Sequence, residues 1–568
     1  MDHGSTRGRP DDDVDQVAPQ PEDLSDLVVA AAAESPDKLA LVEADGRSVT
    51  WAELEDEVAR LAHGLSEAGV VAGYRVVLAL ENTIEFVTTY LAVLRVHAVA
   101  VPVNPRSTPG ELTRMLADSG SRLVVAGPAA LDVVRRAVTD LAAARAAGDA
   151  GDAGEDLPPE LLARAAEPRL VVVGSEPGPG EWAFSALRAD ATPVEVPRVR
   201  DRERLAVLLY TSGTSGHPRA AMLSHRALLA NIDQVGAVRP PMMHGDDVVL
   251  GVLPLFHVYG LNAVLGSALR HRAKLVLVRE YDPETILDVV DDEACSVLPV
   301  APPVFRHWRD EEALAERLGP VRLILSGSAP LDAVSVARFS AATGLVVHQG
   351  YGLTEAAPVV TSTLCVAGPG DPGDPGEPAA PTPGSVGSVL PGIEVRLVDD
   401  SGRAPEPGDP GEIQVRGDNL FSGYWPDGSD GPDAEGWFST GDVGLLDPRG
   451  ELFLVDRVKE LVIVSGFNVY PSEVEDVVRE VAAVREAAVI GVGDDETGEA
   501  VVAFVVAPGA ERDEVVAAVR EHCAERLARF KVPSRVEVVD SLPVTVTGKV
   551  RKGTLRAQER RRTVELLS

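Results

Sequence analysis

The residues most suited to chemistry begin with a run of small side chains after a short apolar segment. Residues 211–216 (TSGTSG) are all Ser, Thr or Gly, and they follow Leu205–Tyr210 (LAVLLY), which has the pattern of a buried strand. Glycine lets backbone N–H groups approach an anion closely, and each hydroxyl adds a donor. The run therefore predicts a cradle for a polyphosphate, placed between this strand and a helix that starts at Ser224.

A run of this composition has two other interpretations. A surface linker has the same composition and is the alternative for the run taken by itself. A Walker A phosphate loop is excluded, because the chain contains no G-x-x-x-x-G-K-[ST] pattern. The prediction is therefore a phosphate-binding loop of a type other than Walker A.

A second segment with chemical potential is residues 348–355 (HQGYGLTE), where glycines surround an aromatic residue and a hydroxyl and a carboxylate follow. Tyr351 can lie flat against a purine and Thr354 can donate to a phosphate. Glu355 can hold Mg²⁺, a hard cation that prefers oxygen ligands beside phosphates. An ordinary strand-to-loop turn is the alternative for this segment.

Three further segments place charged residues at predicted turns or at a domain boundary. Asp442 follows a Thr-Gly pair, where a carboxylate can accept from both ribose hydroxyls, although a simple turn aspartate has the same pattern. Arg457 and Lys459 lie where two predicted domains meet. Lys549 follows another Thr-Gly pair, which can present its ammonium at a loop tip. A solvated surface charge is the alternative for each lysine.

These five segments, in this order, resemble the motifs of the adenylate-forming superfamily of acyl-CoA synthetases, firefly luciferases and peptide-synthetase adenylation domains. The resemblance covers roughly residues 25–556, and residues 411–425 (GEIQVRGDNLFSGYW) and 437–447 (WFSTGDVGLLD) match as well. It implies an enzyme that joins a carboxylic acid to ATP as acyl-AMP and releases pyrophosphate. The acyl group then passes to a thiol, usually that of coenzyme A.

The resemblance also implies roles for individual residues. The residues that it places on the ATP phosphates are Thr211, Ser212, Gly213, Thr214, Ser215, Gly216 and Arg219. Those that it places around the adenine are Gly327, Ser328, Ala329, Gln349, Gly350, Tyr351 and Gly352. It further implies that Asp442 and Arg457 hold the ribose, that Thr354 contacts the α-phosphate, and that Glu355 and Thr214 bind Mg²⁺.

Lys549 resembles the catalytic lysine of adenylation in this superfamily. Attack of a carboxylate on the α-phosphorus brings two anions together, and a cation between them offsets the repulsion and stabilises the transition state. Lys459 resembles the hinge about which the C-terminal domain turns between the half-reactions. Ser465, Gly466 and Phe467 resemble the stretch that meets the pantetheine of coenzyme A.

The chain departs from the family pattern after the phosphate loop, where Pro218, Arg219 and Ala220 stand in place of the usual Pro-Lys-Gly. Arginine keeps the positive charge but is bulkier and planar, so we expect phosphate binding to survive. This departure allows a non-catalytic, nucleotide-binding relative as an alternative, against which the intact Glu355, Asp442, Arg457 and Lys549 argue. Lys552 is a milder difference, because arginine is more common there.

The acid substrate is indicated only broadly. Peptide-synthetase domains for α-amino acids usually have an aspartate near residues 253–260, which read LPLFHVYG here and contain no acid. The segment resembles fatty-acyl, aryl and coumarate-type CoA ligases, in which a histidine, here His257, lies beside the substrate carboxylate. A purely structural histidine is the alternative. Residues 258–269 are apolar or small, as an aliphatic or aryl tail requires. We therefore predict a fatty acid:CoA ligase, with loading of a carrier-protein thiol as the alternative.

Composition excludes several other classes of function. The chain has 568 residues with 53 Lys and Arg against 88 Asp and Glu, a net charge of −35, which disfavours binding to nucleic acid. Its three cysteines are widely separated, so neither a disulfide framework nor a zinc site is expected. A polar N-terminus and the absence of an apolar run of about 18 residues predict a cytoplasmic protein without a membrane span.

The elements that must position these residues alternate between helix and strand. Thr50 and Glu53 form a capping box for a helix that ends near Gly69. A strand is predicted at residues 74–80, then a helix to about residue 96, then a strand at 99–103. The pattern predicts an α/β fold with parallel sheets covered by helices.

Composition predicts a disordered tail at residues 1–22 and a small α+β domain at 457–568. The resemblance implies that residues 23–456 form an AMP-binding domain of three subdomains and that the C-terminal domain is mobile. In the last, Ser472 and Glu475 are predicted to form a capping box, followed by strands at 487–492 and 500–507. Low-complexity residues 144–160 and 367–384 are predicted to be exposed loops without a chemical role.

Overall fold

The computed structural model describes most of the chain. The described residues are 21–149, 157–188, 201–211, 218–328, 331, 333–365, 381–399, 401–457, 460–464, 467–494, 498–545, 548–556 and 558–559. Residues 1–20 of the predicted tail at 1–22, and parts of both low-complexity insertions, lie outside these ranges.

The described strands run from residue 39 to residue 538. In chain order they are β1 Leu39–Glu43, β2 Ser48–Thr50, β3 Arg75–Ala79, β4 Val99–Pro102, β5 Leu123–Ala126, β6 Arg169–Val172, β7 Trp182–Ala183, β8 Leu205–Thr211, β9 Arg219–Ser224, β10 Val248–Gly251, β11 Lys274–Leu277, β12 Val297–Val300, β13 Leu323–Ser326, β14 Val347–Gly352, β15 Val359–Ser362, β16 Ser388–Val389, β17 Ile393–Val398, β18 Gly411–Gly417, β19 Phe438–Leu446, β20 Leu452–Arg457, β21 Val462–Val464, β22 Phe467–Val469, β23 Glu486–Asp494, β24 Gly498–Val506 and β25 Arg535–Val538.

Helices connect and cover these strands. The α-helices are α1 Asp26–Glu34, α2 Trp51–Glu67, α3 Ile84–Arg95, α4 Pro109–Ser119, α5 Leu131–Asp149, α6 Pro159–Arg164, α7 Phe184–Leu187, α8 His225–Gly236, α9 Ser267–His271, α10 Ile286–Asp292, α11 Pro303–His307, α12 Leu314–Arg317, α13 Ala333–Thr343, α14 Pro471–Arg479 and α15 Arg512–Arg526. A π-helical segment, Tyr259–Gly266, precedes α9, and 3₁₀ turns occur at Trp308–Asp310, Thr354–Ala356 and Arg529–Lys531.

Three sheets form the part of the molecule that we call the large lobe, residues 21–457. The first has seven strands in the order β7-β6-β5-β3-β4-β8-β9, parallel except for the β8–β9 pair. The second has nine strands in the order β16-β15-β14-β13-β12-β10-β11-β1-β2, with a parallel centre. The third is the antiparallel sheet β17-β18-β19-β20.

The small lobe, residues 460–559, is built on a single sheet in the order β22-β21-β24-β23, with β25 paired to β24. Apolar clusters cover both faces of this sheet: α14 and α15 pack on one face, and Leu542 and Leu555 lie in the cluster on the other. The predicted α/β fold with a small additional α+β part is confirmed.

The main core lies between the two large sheets of the large lobe. Helix α3 shows why this arrangement is stable, because Phe86 to Leu94 are nine consecutive buried residues. Such a helix, apolar on all sides, must be covered on every face. It is held between the sheets, and its buried residues belong to a cluster that includes strands of both.

Local sequence signals account for the start of several helices. The predicted capping box of α2 is present, because Glu53 N–H donates to Thr50 Oγ1 at 3.2 Å and Thr50 N–H donates to Glu53 Oε2 at 2.8 Å. The predicted capping box of α14 is wrong. Ser472 Oγ instead donates to the carbonyl of Val455, and Glu475 accepts from Val489 N–H at 2.8 Å. Tertiary partners therefore take both side chains away from the helix end.

Two other expectations are corrected. The small-residue loop was expected to lie between a strand and a helix, but β9 (Arg219–Ser224) intervenes and pairs antiparallel with β8. Only then does α8 start, with Ser224 as its cap: Ala227 N–H donates to Ser224 Oγ at 3.2 Å. The first insertion was expected to be a loop from residue 144, but α5 continues to Asp149.

Candidate active site

One cleft of about 2740 Å³ lies between the two lobes and collects most of the predicted site residues. Those that line it are Thr211, Arg219, His257, Gly327, Ser328, Gln349, Gly350, Tyr351, Gly352, Thr354, Glu355, Asp442 and Lys549. Residues more than 300 positions apart in the chain thus face a common space, as a single reaction site requires.

Some predicted residues lie outside the described part of the chain, and their assigned roles stay predictions. They are Ser212, Gly213, Thr214, Ser215, Gly216, Ala329, Lys459, Ser465 and Gly466. For Arg457 and Phe467 the structure describes the backbone, which places them at the end of β20 and the start of β22.

Both ends of the small-residue loop are anchored. Thr211 ends β8 and lies opposite Arg219 at the start of β9, and Thr211 Oγ1 donates to the Arg219 carbonyl at 3.3 Å. A two-stranded antiparallel base of this kind fixes where the loop leaves and re-enters the sheet. Thr211 and Arg219, on either side of the predicted phosphate loop, both line the cleft.

The ribose and adenine candidates are joined by a hydrogen bond. Tyr351 Oη donates to Asp442 Oδ2 at 2.7 Å, and both side chains are buried. Asp442 lies opposite Arg457 in the pairing of β19 with β20, so the two predicted ribose residues are neighbours. The carboxylate is therefore held at the wall of the cleft by a phenol from β14.

Close backbone packing explains two glycines of the predicted adenine wall. A Cβ on Gly350 would lie 2.7 Å from the carbonyl oxygen of Thr361, and one on Gly352 would lie 2.2 Å from that of Pro358. Neither separation is possible for a real Cβ. These glycines are thus required because β14 passes close to the backbone of Pro358 and Thr361 at the cleft.

Glu355 stands in a short 3₁₀ turn after β14, next to Thr354. Its carboxylate accepts a hydrogen bond from Tyr424 Oη at 2.5 Å, and its carbonyl accepts from Phe421 N–H at 2.9 Å. Arg219 lies over the Tyr424 ring, 3.9 Å from its centroid, and pairs with Asp430 at 2.8 Å. Tyr424 and Asp430 were not predicted as site residues, although residues 411–425 had been matched to the family without a role.

The residues present fit a magnesium ion bound together with ATP. In the described part of the chain no group of three or more His, Cys, Asp and Glu side chains is placed to hold a metal. Mg²⁺ at nucleotide sites usually uses one or two carboxylates and takes its other ligands from phosphates and water. Glu355, which lines the cleft beside Thr354, can supply one such carboxylate.

His257 lies at the start of the segment that leads into the π-helix. Burial lowers its pKa to about 4, so the ring is neutral at pH 7. Tyr259 N–H donates to His257 Nδ1 at 3.3 Å, which leaves the ring proton on Nε2. Neutral His257 can therefore donate one hydrogen bond to a substrate carboxylate but cannot form a salt bridge with it.

Lys549 is carried by a tight turn of the small lobe. Thr545 N–H donates to the Lys549 carbonyl at 2.7 Å, and Lys549 N–H donates to Thr545 Oγ1 at 3.1 Å. Gly548 takes a φ of +82°, a conformation that glycine adopts without strain. Thr545 and Lys549 are thus held together by two hydrogen bonds, and Lys549 lines the cleft.

Lys552, the milder departure from the family pattern, forms ion pairs close to the cleft. Its ammonium lies 3.1 Å from Glu460 Oε2 and 2.8 Å from Glu475 Oε1. It therefore ties the segment that enters the small lobe to α14.

Comparison with known proteins places the chain in a family. Residues 28–425 match the AMP-binding enzyme family, and residues 473–549 match the AMP-binding enzyme C-terminal domain. The chain belongs to the AMP-binding enzyme family. The predicted adenylate-forming resemblance is confirmed, and so is the prediction of an enzyme of the acid–thiol ligase class.

Full-length relatives and a solved structure agree with this assignment. The chain is 34% identical over 553 residues to 4-coumarate–CoA ligase 5 of Oryza sativa subsp. japonica, covering 94% of each protein. It is 30% identical over 548 residues to a long-chain-fatty-acid–CoA ligase of Bacillus subtilis (strain 168), again covering 94% of each. ATP-bound MatB from Rhodopseudomonas palustris has a TM-score of 0.79 at 32% identity, covering 94% of this chain and 98% of MatB.

The comparisons support activation of an acid through an acyl-adenylate with ATP and coenzyme A as co-substrates. They leave open which acid is used. No described helix combines the length and the hydropathy that a membrane-spanning segment needs.

Proposed function

We propose that this protein activates a carboxylic acid with an uncharged, apolar tail, in the first place a fatty acid, and transfers it to coenzyme A. The observation that carries the proposal is the shared cleft, which is lined by Lys549 of the small lobe and by Glu355, Asp442 and His257 of the large lobe. These residues supply a cation, candidate ligands for a nucleotide and its metal, and a histidine that can donate to a carboxylate.

In the first half-reaction, a carboxylate oxygen attacks the α-phosphorus of ATP. A new P–O bond forms, the bond to the β-phosphate breaks, and pyrophosphate leaves with the electron pair. The Lys549 ammonium stabilises the negative charge that accumulates between the two anions. His257 orients the acid through its Nε2–H. Mg²⁺, when bound through Glu355 and Thr214, would neutralise charge on the phosphates.

In the second half-reaction, the sulfur of coenzyme A attacks the acyl carbonyl. The C–S bond forms, the bond to the AMP oxygen breaks, and the thiol proton is lost. We assign Lys459 as the hinge that turns the small lobe between the steps. Ser465, Gly466 and Phe467 then meet the pantetheine. Turning one lobe lets one cleft serve both reactions and limits the access of water to acyl-AMP.

The chemistry of the cleft wall supports an apolar acid. The apolar residues Val235, Met242, Met243, Ala263 and Val264 line the same cleft as His257. Among the described lining residues between 235 and 327 there is no Asp, Glu, Lys or Arg. A second charged group on the acid, such as an amino group or another carboxylate, would have no partner there and would lose its hydration.

One observation favours an aryl acid with a hydroxyl group as a second candidate. Ser267 and Ser326 line the cleft, and the Oγ atoms of both are buried without a hydrogen-bond partner among the described residues. Buried hydroxyls usually have partners, so a polar group on the acid would satisfy one of them. The similarity to a 4-coumarate–CoA ligase agrees with this candidate.

A panel of acids tests both candidates. Pyrophosphate release and acyl-CoA formation are measured with saturated fatty acids of six to sixteen carbons, cinnamate and 4-hydroxycinnamate, each with and without coenzyme A. A preference for one fatty-acid length supports the first candidate. Preference for 4-hydroxycinnamate over cinnamate, lost in Ser267→Ala or Ser326→Ala, supports the second. Acyl-AMP that transfers only to a phosphopantetheinylated carrier, or no product from any acid, would contradict the proposal.

A further inference from the structure

Glu355, the carboxylate assigned to Mg²⁺, is held at two points by one short segment. Tyr424 Oη donates to Glu355 Oε1 at 2.5 Å, and Phe421 N–H donates to the Glu355 carbonyl at 2.9 Å. Glu355 Oε2 accepts no hydrogen bond from any residue in the described ranges. One carboxylate oxygen is thus fixed by a phenol while the other remains for a ligand.

Tyr424 is held by backbone hydrogen bonds on both sides of it and by a contact of its ring with Phe421. The residues on either side of it pair with β9, because Met222 N–H donates to the Gly423 carbonyl at 3.0 Å and Trp425 N–H donates to that of Ala220 at 2.9 Å. The Phe421 ring meets the Tyr424 ring edge to face, with centroids 5.0 Å apart. Since β9 begins at Arg219, this pairing sets Tyr424 relative to Arg219.

Arg219 adds a further constraint on the Tyr424 ring. Its guanidinium carbon lies 3.9 Å from the ring centroid, and Asp430 holds the same group by an ion pair of 2.8 Å. A planar guanidinium stacks on an aromatic face in a way that the compact ammonium of lysine does not. Arg219, which stands where the family usually has a lysine, therefore makes a stacking contact with Tyr424 that a lysine would not make.

The phenol is the donor of this hydrogen bond and the Glu355 carboxylate is its acceptor. Hydrogen bonds to charged acceptors are among the stronger ones in proteins.

We propose that Tyr424 is a positioning residue that orients the Glu355 carboxylate for the magnesium–nucleotide complex, with Arg219 stacked on its ring. This inference rests on the proposed function, because it takes the nucleotide in the cleft to be ATP with its metal. Without the phenol, the carboxylate is free to rotate, and the metal complex must restrict it on binding. The loss should therefore be confined to the metal-dependent part of nucleotide binding.

The test is the affinity of Tyr424→Phe for the non-hydrolysable analogue AMPCPP, measured by titration calorimetry with Mg²⁺ and with EDTA. We expect about a tenfold weaker affinity with Mg²⁺, the size of one hydrogen bond to a charged group, and unchanged affinity in EDTA. The Mg²⁺ concentration for half-maximal acyl-AMP formation should rise in parallel. Tyr281→Phe is the matched control, because Tyr281 Oη bonds His307 at 2.9 Å outside the cleft.

Equal losses with Mg²⁺ and with EDTA would overturn the proposal, because Tyr424 would then be a part of the nucleotide wall. No loss in either condition would also overturn it. A second comparison keeps the test valid if Tyr424→Phe is less stable. In a Glu355→Ala background, Tyr424→Phe should have no further effect on Mg²⁺–AMPCPP affinity, and an undiminished tenfold effect would contradict a role through Glu355.

The binding measurements separate this inference from the proposed function. A parent protein that binds Mg²⁺–AMPCPP but forms no acyl-AMP from any acid would contradict the function and leave the comparison of variants intact. Normal acyl-AMP formation with an unchanged magnesium dependence in Tyr424→Phe would contradict the positioning role alone.

Discussion

Gly548 of the small lobe lies directly against Pro303 of the large lobe. A Cβ on Gly548 would be 2.5 Å from Cγ of Pro303 and 3.2 Å from its Cδ, and the φ of Gly548 is +82°. The residue before the candidate catalytic lysine is therefore a contact between the lobes. We expect this contact to influence how far Lys549 reaches into the cleft.

Replacing Gly548 with alanine should impair adenylation selectively. The new methyl group would push the lysine turn away from Pro303, and the positive φ adds a strain of about 1–2 kcal/mol. We expect acyl-AMP formation to fall by roughly tenfold or more and thioester formation from supplied acyl-AMP to be spared. Gly509→Ala is the matched control, since Gly509 has a φ of +76° with nothing within 4 Å of a Cβ. A similar loss in the control would assign the effect to backbone strain.

An ion pair joins the lobes beside this contact and should influence the same step. Arg306 Nη1 lies 3.3 Å from Glu486 Oε1, and both side chains are partly exposed. Because exposed pairs contribute about 0.2–1 kcal/mol, Arg306→Glu should reduce adenylation by about two- to fivefold with little effect on thioester formation. The charge-swapped double variant with Glu486→Arg should recover the activity. A double variant as poor as the single one would rule out the pairing as the cause.

Removing the ammonium of Lys549 should affect the first half-reaction far more than the second. Loss of one group that stabilises transition-state charge typically costs about 10²–10³ in rate, and we expect Lys549→Ala to fall in this range for acyl-AMP formation. Stopped-flow measurement of each half-reaction distinguishes the steps. Lys274→Ala is the control, because Lys274 pairs with Glu293 in the large lobe away from the cleft. Equal losses in both half-reactions would refute the assigned role.

His225 should make the stability of the large lobe sensitive to mild acid. It is fully buried, and its Nδ1 accepts a hydrogen bond from Leu24 N–H at 3.1 Å. Burial lowers its pKa to about 4, with a smaller opposing effect of Asp23 and a further lowering by Arg204. Between pH 6.5 and 4 the unfolded chain binds more protons at this residue than the folded chain does. The contribution of neutral His225 to the free energy of unfolding is therefore complete above pH 6.5 and is lost as the pH falls towards 4.

Thermal unfolding at pH 7, 6 and 5 checks this expectation. The slope from one such histidine is at most about 1.4 kcal/mol per pH unit. His225→Asn keeps an acceptor near the Leu24 amide but does not titrate, so its unfolding temperature should depend less on pH than that of the parent. Identical pH dependence in the two proteins would show that His225 does not contribute.

Local signals made part of this structure predictable from sequence. The Thr50–Glu53 capping box needs only residues three positions apart, and it forms as expected. The glycine and hydroxyl motifs also revealed which segments share a site, because each motif carries its own chemistry. Residues as distant as Thr211 and Lys549 do line one cleft.

Features that depend on distant partners were not predictable in the same way. Residues 219–224 (RAAMLS) have no strand-like alternation, and they become β9 because β8 and the backbone around Tyr424 supply hydrogen-bond partners. Ser472 has the sequence position of a cap, yet its hydroxyl bonds the carbonyl of Val455. The contact of Tyr424 with Glu355 spans 69 positions and follows from no local pattern.

Within the described chain, the polypeptide passes from the large lobe to the small lobe once, after β20. Replacing the chain after this junction with that of a relative would exchange the whole small lobe, including Lys549. The apolar residues that line the cleft with His257 all belong to the large lobe. Such a chimera should therefore keep the choice of acid of the protein that supplies the large lobe, while its turnover follows the protein that supplies the small lobe. We therefore expect the choice of acid and the turnover rate to be determined by separate stretches of the chain.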